Sequence, residues 1–233
     1  MEIKIWSDVR CPFCYIGKKK FETALENFKH KDDLKISWKS FQLDPNLKTD
    51  TSISTIDYFV ENKGVDVEQA KQMLSGASQM GAEVGLTLDF EKSVLANSFN
   101  AHRLIQMAKS KGLGNEIEEA LFKAHFEQGK NIDSQEELIV IGGSIGMDQN
   151  EIESMLKSED FSYEVKQDEL EARNIGVRGV PFFVFNDKFA VSGAQTPEVF
   201  LDTLGKAWEE FSKNNGGLEI TKGESCSTDG TCD

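Results

Sequence analysis

The sequence predicts an α/β protein in which a mixed β-sheet is interrupted by a large, all-helical insertion. Alternation of polar and apolar residues, which is typical of strands, occurs near the start of the chain and again after Gly176, whereas the long segment between them has helical periodicity. The chain has 233 residues, of which 39% are hydrophobic and 28% are charged, so it is long enough for a sizeable core with a second domain inserted.

The first 45 residues predict a strand, a helix and a second strand. The segment 2–6, EIKIW, alternates with β-branched isoleucines, and the segment 34–43, LKISWKSFQL, alternates again. Pro12 suits the first turn of the intervening helix because its missing N–H would be unpaired there in any case. An apolar stripe with helical recurrence follows and consists of Tyr15, Ile16, Phe21, Ala24, Leu25 and Phe28. This order predicts a βαβ unit with a right-handed crossover.

Helical patterns fill residues 46–176. Two apolar series recur at i, i+3, i+4 and i+7, and the spacing of a capping box precedes two later apolar stripes. The two series are Ala101, Leu104, Ile105, Ala108 and Ile117, Ala120, Leu121, Ala124, and the capping pairs are Ser134 with Glu137 and Asp148 with Glu151. Glycine-containing breaks separate the predicted helices.

Strands return after the insertion. The segments PFFVF and KFAVSG flank Asn186 and Asp187, which predicts a tight hairpin. Thr196 and Pro197 then have the residue types of an N-cap and a first helical position, and the helix that they begin ends by Asn214.

These patterns together predict three parts. Residues 1–45 and 177–213 form a discontinuous sheet domain, and residues 46–176 form a helical insertion whose last helix bridges back to the sheet. Residues 214–233 have little to bury and are expected to be a flexible tail that contains two cysteines.

Charge and cysteine content narrow the classes of function. The 26 Lys and Arg residues against 40 Asp and Glu residues leave a net charge of -14, which argues against nucleic acid and an anionic membrane surface as partners. No apolar run approaches the roughly 20 residues that a membrane span needs, and no signal-peptide pattern precedes Cys11. Four cysteines are too few for a disulfide scaffold. We therefore expect a cytoplasmic protein in which a close cysteine pair is catalytic or binds a metal.

Cys11 and Cys14 form a CPFC motif between the first predicted strand and its helix. Unpaired N–H groups and the positive end of the helix dipole favour a thiolate at Cys11, and Cys14 follows one turn later. Because thiolates carry out disulfide exchange, this setting predicts that Cys11 attacks and Cys14 resolves. A CxxC pair can also be half of a zinc site, or two unconnected buried cysteines. We expect no metal site, because His30, His102 and His125 are isolated and the second cysteine pair lies in the tail.

Five segments of the chain carry a family resemblance: WSDVRCPFCYIGKKKFE, FQLDP, NSFNAHRL, GVRGVPFFVFND and VSGAQTPEVF, in this order. On these motifs the chain, up to about Phe211, resembles the DsbA-like proteins with a thioredoxin-like fold, in particular the FrnE-like branch. The resemblance implies that the Val180–Pro181 bond is cis, that Pro181 faces the cysteines and keeps metal ions from them, and that the Val180 backbone pairs with an extended substrate. The implied catalytic residues are Cys11, Cys14 and Pro181, and the implied substrate contacts are Pro12, Phe13 and Val180.

The resemblance implies a thiol–disulfide oxidoreductase that acts on disulfide- or thiol-containing proteins or small molecules. No tightly bound cofactor is expected, glutathione is a candidate co-substrate, and a homodimer through the insertion stays open. Pro12 and Phe13 offer no charge or hydrogen-bond donor to a thiolate, so we expect a less oxidising couple than that of DsbA, at about -120 mV, and a dithiol resting form.

Two alternative functions stay open. Kappa-class glutathione transferases and 2-hydroxychromene-2-carboxylate isomerases resemble the chain in layout and use glutathione, but typically have a serine in place of Cys11 and no partner cysteine. In such an enzyme the run Ser192, Gly193, Ala194 and Gln195, at a helix N-terminus, would hold a glutathione carboxylate, unless it is only a turn and a cap. The third hypothesis is a chaperone-like module without catalysis, which binds extended peptides in a groove lined by Phe13 and Val180.

Two further groups of residues are candidates for the site. Asn97, Asn100 and His102 are expected to shape the site or to pack the insertion, with no part in proton transfer. Cys226 and Cys232 flank a Thr-Asp-Gly turn, where a disulfide is feasible because Gly230 accepts a left-handed conformation. They are either an auxiliary redox pair that exchanges with Cys11, or exposed thiols with adventitious metal binding.

Overall fold

The computed structural model describes residues 1–214 and has the α/β architecture with a mixed sheet. The strands are β1 (Glu2–Ser7), β2 (Lys35–Ser40), β3 (Phe182–Phe185) and β4 (Phe189–Ser192). Helix α1 (Pro12–Glu26) follows β1, and a short 3-10 helix (Lys31–Asp33) precedes β2. Between β2 and β3 lie α2 (Thr55–Lys63), α3 (Val67–Ala82), α4 (Phe99–Ser110), α5 (Gly114–Phe126), α6 (Gln135–Ser144), α7 (Gln149–Lys157) and α8 (Ser162–Asn174). Helix α9 (Pro197–Asn214) follows β4.

The sheet has the strand order β2-β1-β3-β4. β1 runs parallel to β2 and antiparallel to β3, with Ile5 opposite Trp38 on one side and Phe183 on the other, and β4 is antiparallel to β3. Asn186 and Asp187 both have φ +52°, which is the left-handed conformation that a tight hairpin turn requires. The mixed sheet and its hairpin therefore confirm the predicted fold class.

Helices cover the sheet. On one face, the ring of Phe21 in α1 lies 5.4 Å from that of Phe183 in β3 and 5.6 Å from that of Phe200 in α9. A second apolar cluster joins Trp6 of β1 to Ala172 of α8, and the Trp6 indole donates to the backbone carbonyl of Asp168 at 2.9 Å. β1 is thus held between layers, and it leads directly to the cysteine motif.

The insertion shares a core with the start of α1. Cys11, Cys14, Tyr15 and Ile16 belong to the same buried cluster as apolar residues of α4 to α7. The Tyr15 ring stacks on Phe122 of α5 at 4.9 Å. One core thus includes residues of the sheet domain and of the insertion. The predicted domain boundaries stay a prediction.

The structure differs from the predicted elements in places. β2 ends at Ser40, three residues earlier than predicted, because the chain turns toward Asp8, whose Oδ2 accepts the Leu43 N–H at 2.8 Å. The helical pattern over residues 46–176 does not delimit α2 and α3 individually, whereas in the structure Ser54 and Asp66 cap them by accepting backbone N–H groups. No helix within residues 1–214 is long and apolar enough to cross a membrane. Cys226 and Cys232 lie outside the described residues, so their role stays a prediction.

Candidate active site

Cys11 is the N-cap residue of α1. Its backbone is extended (φ -92°, ψ 111°), Pro12 occupies the start of the helix, and the Cys11 side chain makes no capping hydrogen bond. The Cys11 N–H donates to the carbonyl of Asp8 at 2.9 Å, which closes the turn between β1 and α1. The sulfur is therefore held at the helix end where backbone N–H groups lack helical partners.

The Cys11 thiol meets the loop before β3. It donates to the carbonyl oxygen of Val180 over a distance of 3.6 Å, and the Val180–Pro181 bond is cis, as the resemblance implied. Within the described part of the chain the Val180 N–H makes no hydrogen bond, so it is free to pair with an extended backbone. The structure thus brings together Cys11, Val180 and Pro181, which are far apart in sequence.

Gly17 allows α1 to approach this loop closely. A Cβ atom at Gly17 would lie 3.0 Å from Cγ of Pro181 and 3.5 Å from Cα of Ala194. The first distance is shorter than an ordinary carbon–carbon contact of about 3.5–4.0 Å. A glycine inside a helical pattern is a signal for such a packing constraint, but the pattern around Gly17 does not show which segment approaches it.

Cys14 lies one turn into α1 and is more buried than Cys11, with 1% of its surface exposed against 5%. Burial and the neighbouring Cys11 thiol raise the pKa of Cys14 well above the usual thiol range. Cys14 is therefore a protonated thiol at neutral pH, and both cysteines are free in this structure. A group with this environment must lose its proton before it can attack.

Apolar side chains surround the cysteines at the surface. Phe13 is 40% exposed, while Pro12 and Val180 are half-buried. Exposed apolar surface next to a reactive sulfur suits contact with an apolar substrate segment. Their role in substrate binding stays a prediction.

Three ionisable side chains are buried next to the motif: Asp8, His102 and Glu118, each at most 1% exposed. His102 Nε2 lies 3.5 Å from Asp8 Oδ1, and neither ring nitrogen has a hydrogen bond of ordinary geometry among the described residues. Asp8 also accepts the backbone N–H groups of Arg10 at 3.1 Å and Leu43 at 2.8 Å. We call Asp8, His102 and Glu118 the buried cluster.

The charges of the buried cluster shift one another. Burial raises the pKa of the Asp8 carboxyl, but contact with His102 outweighs this effect and leaves the pKa below its usual range. Burial likewise lowers the pKa of His102, yet Asp8 raises it above its usual range. For Glu118 burial dominates and raises the pKa to about 7, because the positive charges of His102, Lys18 and Lys109 compensate only in part. Asp8 and His102 therefore form a buried ion pair.

Of the three residues in the buried cluster, the sequence predicts only His102 as a candidate for the site. Asn100 packs the insertion, where its amide donates to Asp133 at 3.1 Å, and the Asn97 amide donates to the Leu47 carbonyl at 2.7 Å. Asp8 and Glu118 were missed. Their only signals were an acidic residue directly after an apolar strand and a glutamate beside the apolar series of α5.

The run of residues 192–195 forms a turn before α9. The Gln195 side chain donates to the Ser192 carbonyl at 3.1 Å, its N–H donates to the Gly193 carbonyl at 3.0 Å, and Lys20 donates to the Ala194 carbonyl at 3.3 Å. These contacts favour the interpretation as a turn and a cap. Residues 1–214 include no group of three or more His, Cys, Asp or Glu side chains placed to hold a metal ion.

Comparison with known proteins assigns the chain to a family. Residues 2–205 match the family described as DSBA-like thioredoxin domain. Among solved structures, a probable DsbA oxidoreductase of Streptomyces coelicolor is similar over 100% of this chain and 98% of its own, with 32% sequence identity and a TM-score of 0.86.

Two more distant structures share the fold. A 2-hydroxychromene-2-carboxylate isomerase is 16% identical over 94% of this chain and 100% of its own, with a TM-score of 0.64. The cytosolic disulfide reductase DsbM of Pseudomonas aeruginosa, solved with GSH, is 13% identical over 92% of this chain and 98% of its own, with a TM-score of 0.56.

Proposed function

This chain belongs to the family of DSBA-like thioredoxin domains, and from that premise we propose that it catalyses dithiol–disulfide exchange with Cys11 as the nucleophile and Cys14 as the resolving cysteine. The observation that carries the proposal is the placement of Cys11 at the N-terminus of α1, 3.6 Å from the Val180 carbonyl, with Cys14 buried one turn behind it. The substrates are disulfides or thiols of proteins or small molecules.

The reaction balances in two steps. The Cys11 thiolate attacks a substrate disulfide, so the substrate S–S bond breaks, a mixed disulfide forms and one substrate thiolate leaves. Cys14 then gives up its proton and attacks the Cys11 sulfur, which releases the second substrate thiolate and leaves a Cys11–Cys14 disulfide. Two electrons have passed to the substrate. Two thiol molecules, such as glutathione, then reduce the Cys11–Cys14 disulfide to the dithiol and are themselves oxidised to a disulfide.

The protein environment supports each step. The helix N-terminus stabilises negative charge on Cys11, while the high pKa of Cys14 keeps this thiol protonated until the mixed disulfide forms. The free N–H of Val180 holds an extended substrate beside the sulfur. We further propose that no cofactor is tightly bound, that glutathione is a co-substrate and that the protein works in the cytoplasm, as the DsbM structure with GSH suggests by analogy.

Cysteine variants test the proposal. Cys11→Ser should abolish the reduction of insulin and of glutathione disulfide, and Cys14→Ser should accumulate mixed disulfides that mass spectrometry detects. Full activity of Cys11→Ser would sink the proposal. A redox titration against glutathione gives the direction of electron flow, and a midpoint near that of DsbA, about -120 mV, would overturn the expected dithiol resting form.

Two other outcomes would identify the alternative functions. Glutathione conjugation or isomerisation that survives Cys14→Ser would indicate a glutathione-dependent isomerase or transferase, a class to which one structural neighbour belongs by name. Suppression of aggregation that is unchanged in the double variant Cys11→Ser/Cys14→Ser, without exchange activity in the unmodified protein, would indicate a peptide-binding chaperone.

A further inference from the structure

A cavity of about 80 Å³ lies beside Pro12 of the cysteine motif. Apolar residues form much of its wall, among them Phe59 of α2 and Phe90 and Val94 before α4. Because one water molecule needs only about 10–15 Å³ of such space, the cavity has room for a small polar group on a short carbon chain.

Arg10 lines this cavity. It is half-buried and its guanidinium lies 5.7 Å from the centre of the Tyr58 ring, which also lines the cavity. Among residues 1–214 the guanidinium makes neither a hydrogen bond nor an ion pair, whereas the buried Lys18 pairs with Glu22 and Glu119. The charge of Arg10 acts on the buried Asp8 carboxyl and helps to lower its pKa, but within residues 1–214 no carboxylate lies within ion-pair distance of the guanidinium. In a chain with a net charge of -14, this positive group next to Cys11 is available to an anion from outside.

His125 lies in the same wall of the cavity. It is 5% exposed, and its Nδ1 has no hydrogen-bond partner among the described residues. Burial and the positive charge of Arg10 lower the pKa of His125 to about 4, so the ring is neutral and carries one N–H. In the tautomer with that proton on Nδ1, Nδ1 can donate to a ligand in the cavity. A buried polar atom without a partner indicates that a ligand or water completes the site.

We propose that this cavity binds the carboxylate of a small disulfide or thiol substrate, with the Arg10 guanidinium and the His125 ring as partners and the substrate sulfur at Cys11. The inference rests on the proposed exchange reaction and names its substrate class. The overall negative charge repels anions, so Arg10 is the local group that makes a carboxylate substrate favourable. A charged hydrogen bond of this kind contributes about 1.5–3 kcal/mol, which corresponds to a rate effect of about tenfold or more.

A matched set of disulfides tests the substrate preference. The reduced, full-length protein is mixed with dithiodipropionate, which has two carboxylates, with the neutral hydroxyethyl disulfide, or with the cationic cystamine, and the oxidation of Cys11–Cys14 is followed by stopped flow. Arg10→Gln should slow the reaction with dithiodipropionate about tenfold or more, leave hydroxyethyl disulfide within about twofold, and not slow cystamine. Arg10→Lys should recover part of the rate, and Arg173→Gln, an exposed arginine on α8, is the matched control.

Alkylation gives a readout that does not need exchange activity. Iodoacetate carries a carboxylate and iodoacetamide is its neutral counterpart; both form a thioether with Cys11 and release iodide. The ratio of the iodoacetate rate to the iodoacetamide rate at Cys11, measured by mass spectrometry, should fall about tenfold in Arg10→Gln.

The two experiments distinguish a failure of the proposed carboxylate site from a failure of the proposed exchange reaction. If none of the disulfides oxidises the unmodified protein, the proposed exchange reaction is wrong, and the alkylation ratio still tests the carboxylate site. If Arg10→Gln slows charged and neutral reagents equally, Arg10 acts on the Cys11 thiolate and the carboxylate site is wrong. An unchanged ratio in Arg10→Gln also overturns the site.

Discussion

Nε2 of His102 lies 3.5 Å from Oδ1 of Asp8, and neither side chain is exposed to solvent. Asp8 follows β1 directly and His102 lies in α4, so this ion pair ties the insertion to the segment that begins the cysteine motif. The backbone of Asp8 also lies against the Cys14 sulfur and lowers the pKa of Cys14 slightly against the larger effect of burial. Through Asp8, the buried cluster therefore helps to position the segment that carries Cys11 and Cys14.

Asp8→Asn should lower the free energy of unfolding by about 3 kcal/mol near pH 6, because it leaves the buried His102 without its counter-charge. The stabilisation from Asp8, whose pKa is lowered, is present above pH about 3.9 and is lost as pH falls through its folded pKa. The stabilisation from His102, whose pKa is raised, is present below pH about 6.5 and is lost as pH rises through its folded pKa. The loss of unfolding free energy in Asp8→Asn, measured by urea unfolding, should therefore be largest between about pH 4 and about pH 6.5 and smaller at about pH 9.

A surface pair provides the control for this prediction. Asp202 and Lys206 are 65% and 62% exposed in α9, so Asp202→Asn should change the free energy of unfolding by less than about 0.5 kcal/mol. A loss in Asp8→Asn that is equal at all pH values would show that Asp8 and His102 are not coupled through charge.

Glu118→Gln should become more stable than the unmodified protein as pH rises. Burial raises the pKa of Glu118 from 4.5 to about 7, so its contribution is fully present below the unfolded pKa and is lost as pH rises through 7. A neutral glutamine does not incur this loss. Between about pH 4.5 and 8.5 the difference in unfolding free energy should move by up to about 3 kcal/mol in favour of the variant.

Glu116→Gln, an exposed change on the same helix, should show no such trend with pH. If Glu118→Gln follows the unmodified protein in parallel across the pH range, then Glu118 does not titrate near neutral pH in the folded state.

Gly17→Ala should impair exchange more than it impairs stability. The added Cβ would lie 3.0 Å from Cγ of Pro181, so the loop that carries Val180 must shift relative to Cys11. Alanine is favoured over glycine in a helix by about 1 kcal/mol, which offsets the strain. We expect a several-fold lower rate of insulin reduction with a thermal midpoint within a few degrees of the original.

Gly76→Ala in α3 is the matched control, because apart from its chain neighbours and the adjacent backbone of its own helix no described atom lies within 4 Å of the position that its Cβ would take. That variant should gain about 0.5–1 kcal/mol and keep its rate. Equal rates in the two glycine variants would mean that the cis-proline loop tolerates a displacement from α1.

The predicted auxiliary pair is tested by removing the residues after Gly217. If Cys226 and Cys232 exchange with Cys11, truncation should slow the reoxidation of Cys11–Cys14, and Cys226→Ser/Cys232→Ser in the full chain should do the same. In a Cys14→Ser background, mass spectrometry should find Cys11 linked to one of the tail cysteines. Unchanged rates without such a linkage would remove the pair from the mechanism.

The sequence alone determined the features that depend on neighbouring residues. Alternation indicated the strands, Asn186-Asp187 indicated the hairpin, and Pro12 marked the start of the helix that carries Cys14. Each of these signals arises from the local backbone: the side-chain period, the left-handed conformation of a turn or the missing N–H of proline. The family resemblance added the cis bond before Pro181, which local propensity does not predict.

Only the tertiary structure decided which distant groups meet. The pairing of Asp8 with His102, the contact of Gly17 with Pro181 and the position of the Arg10 guanidinium over the Tyr58 ring depend on how α4, the loop before β3 and α2 pack around α1. A periodic pattern shows that a residue faces the core but not which residue it faces there, because that is set by the packing of elements far apart in the chain. The same packing removes water from charged groups, and this desolvation creates the pKa shifts of Cys14 and Glu118, which depend on burial and therefore on the folded chain.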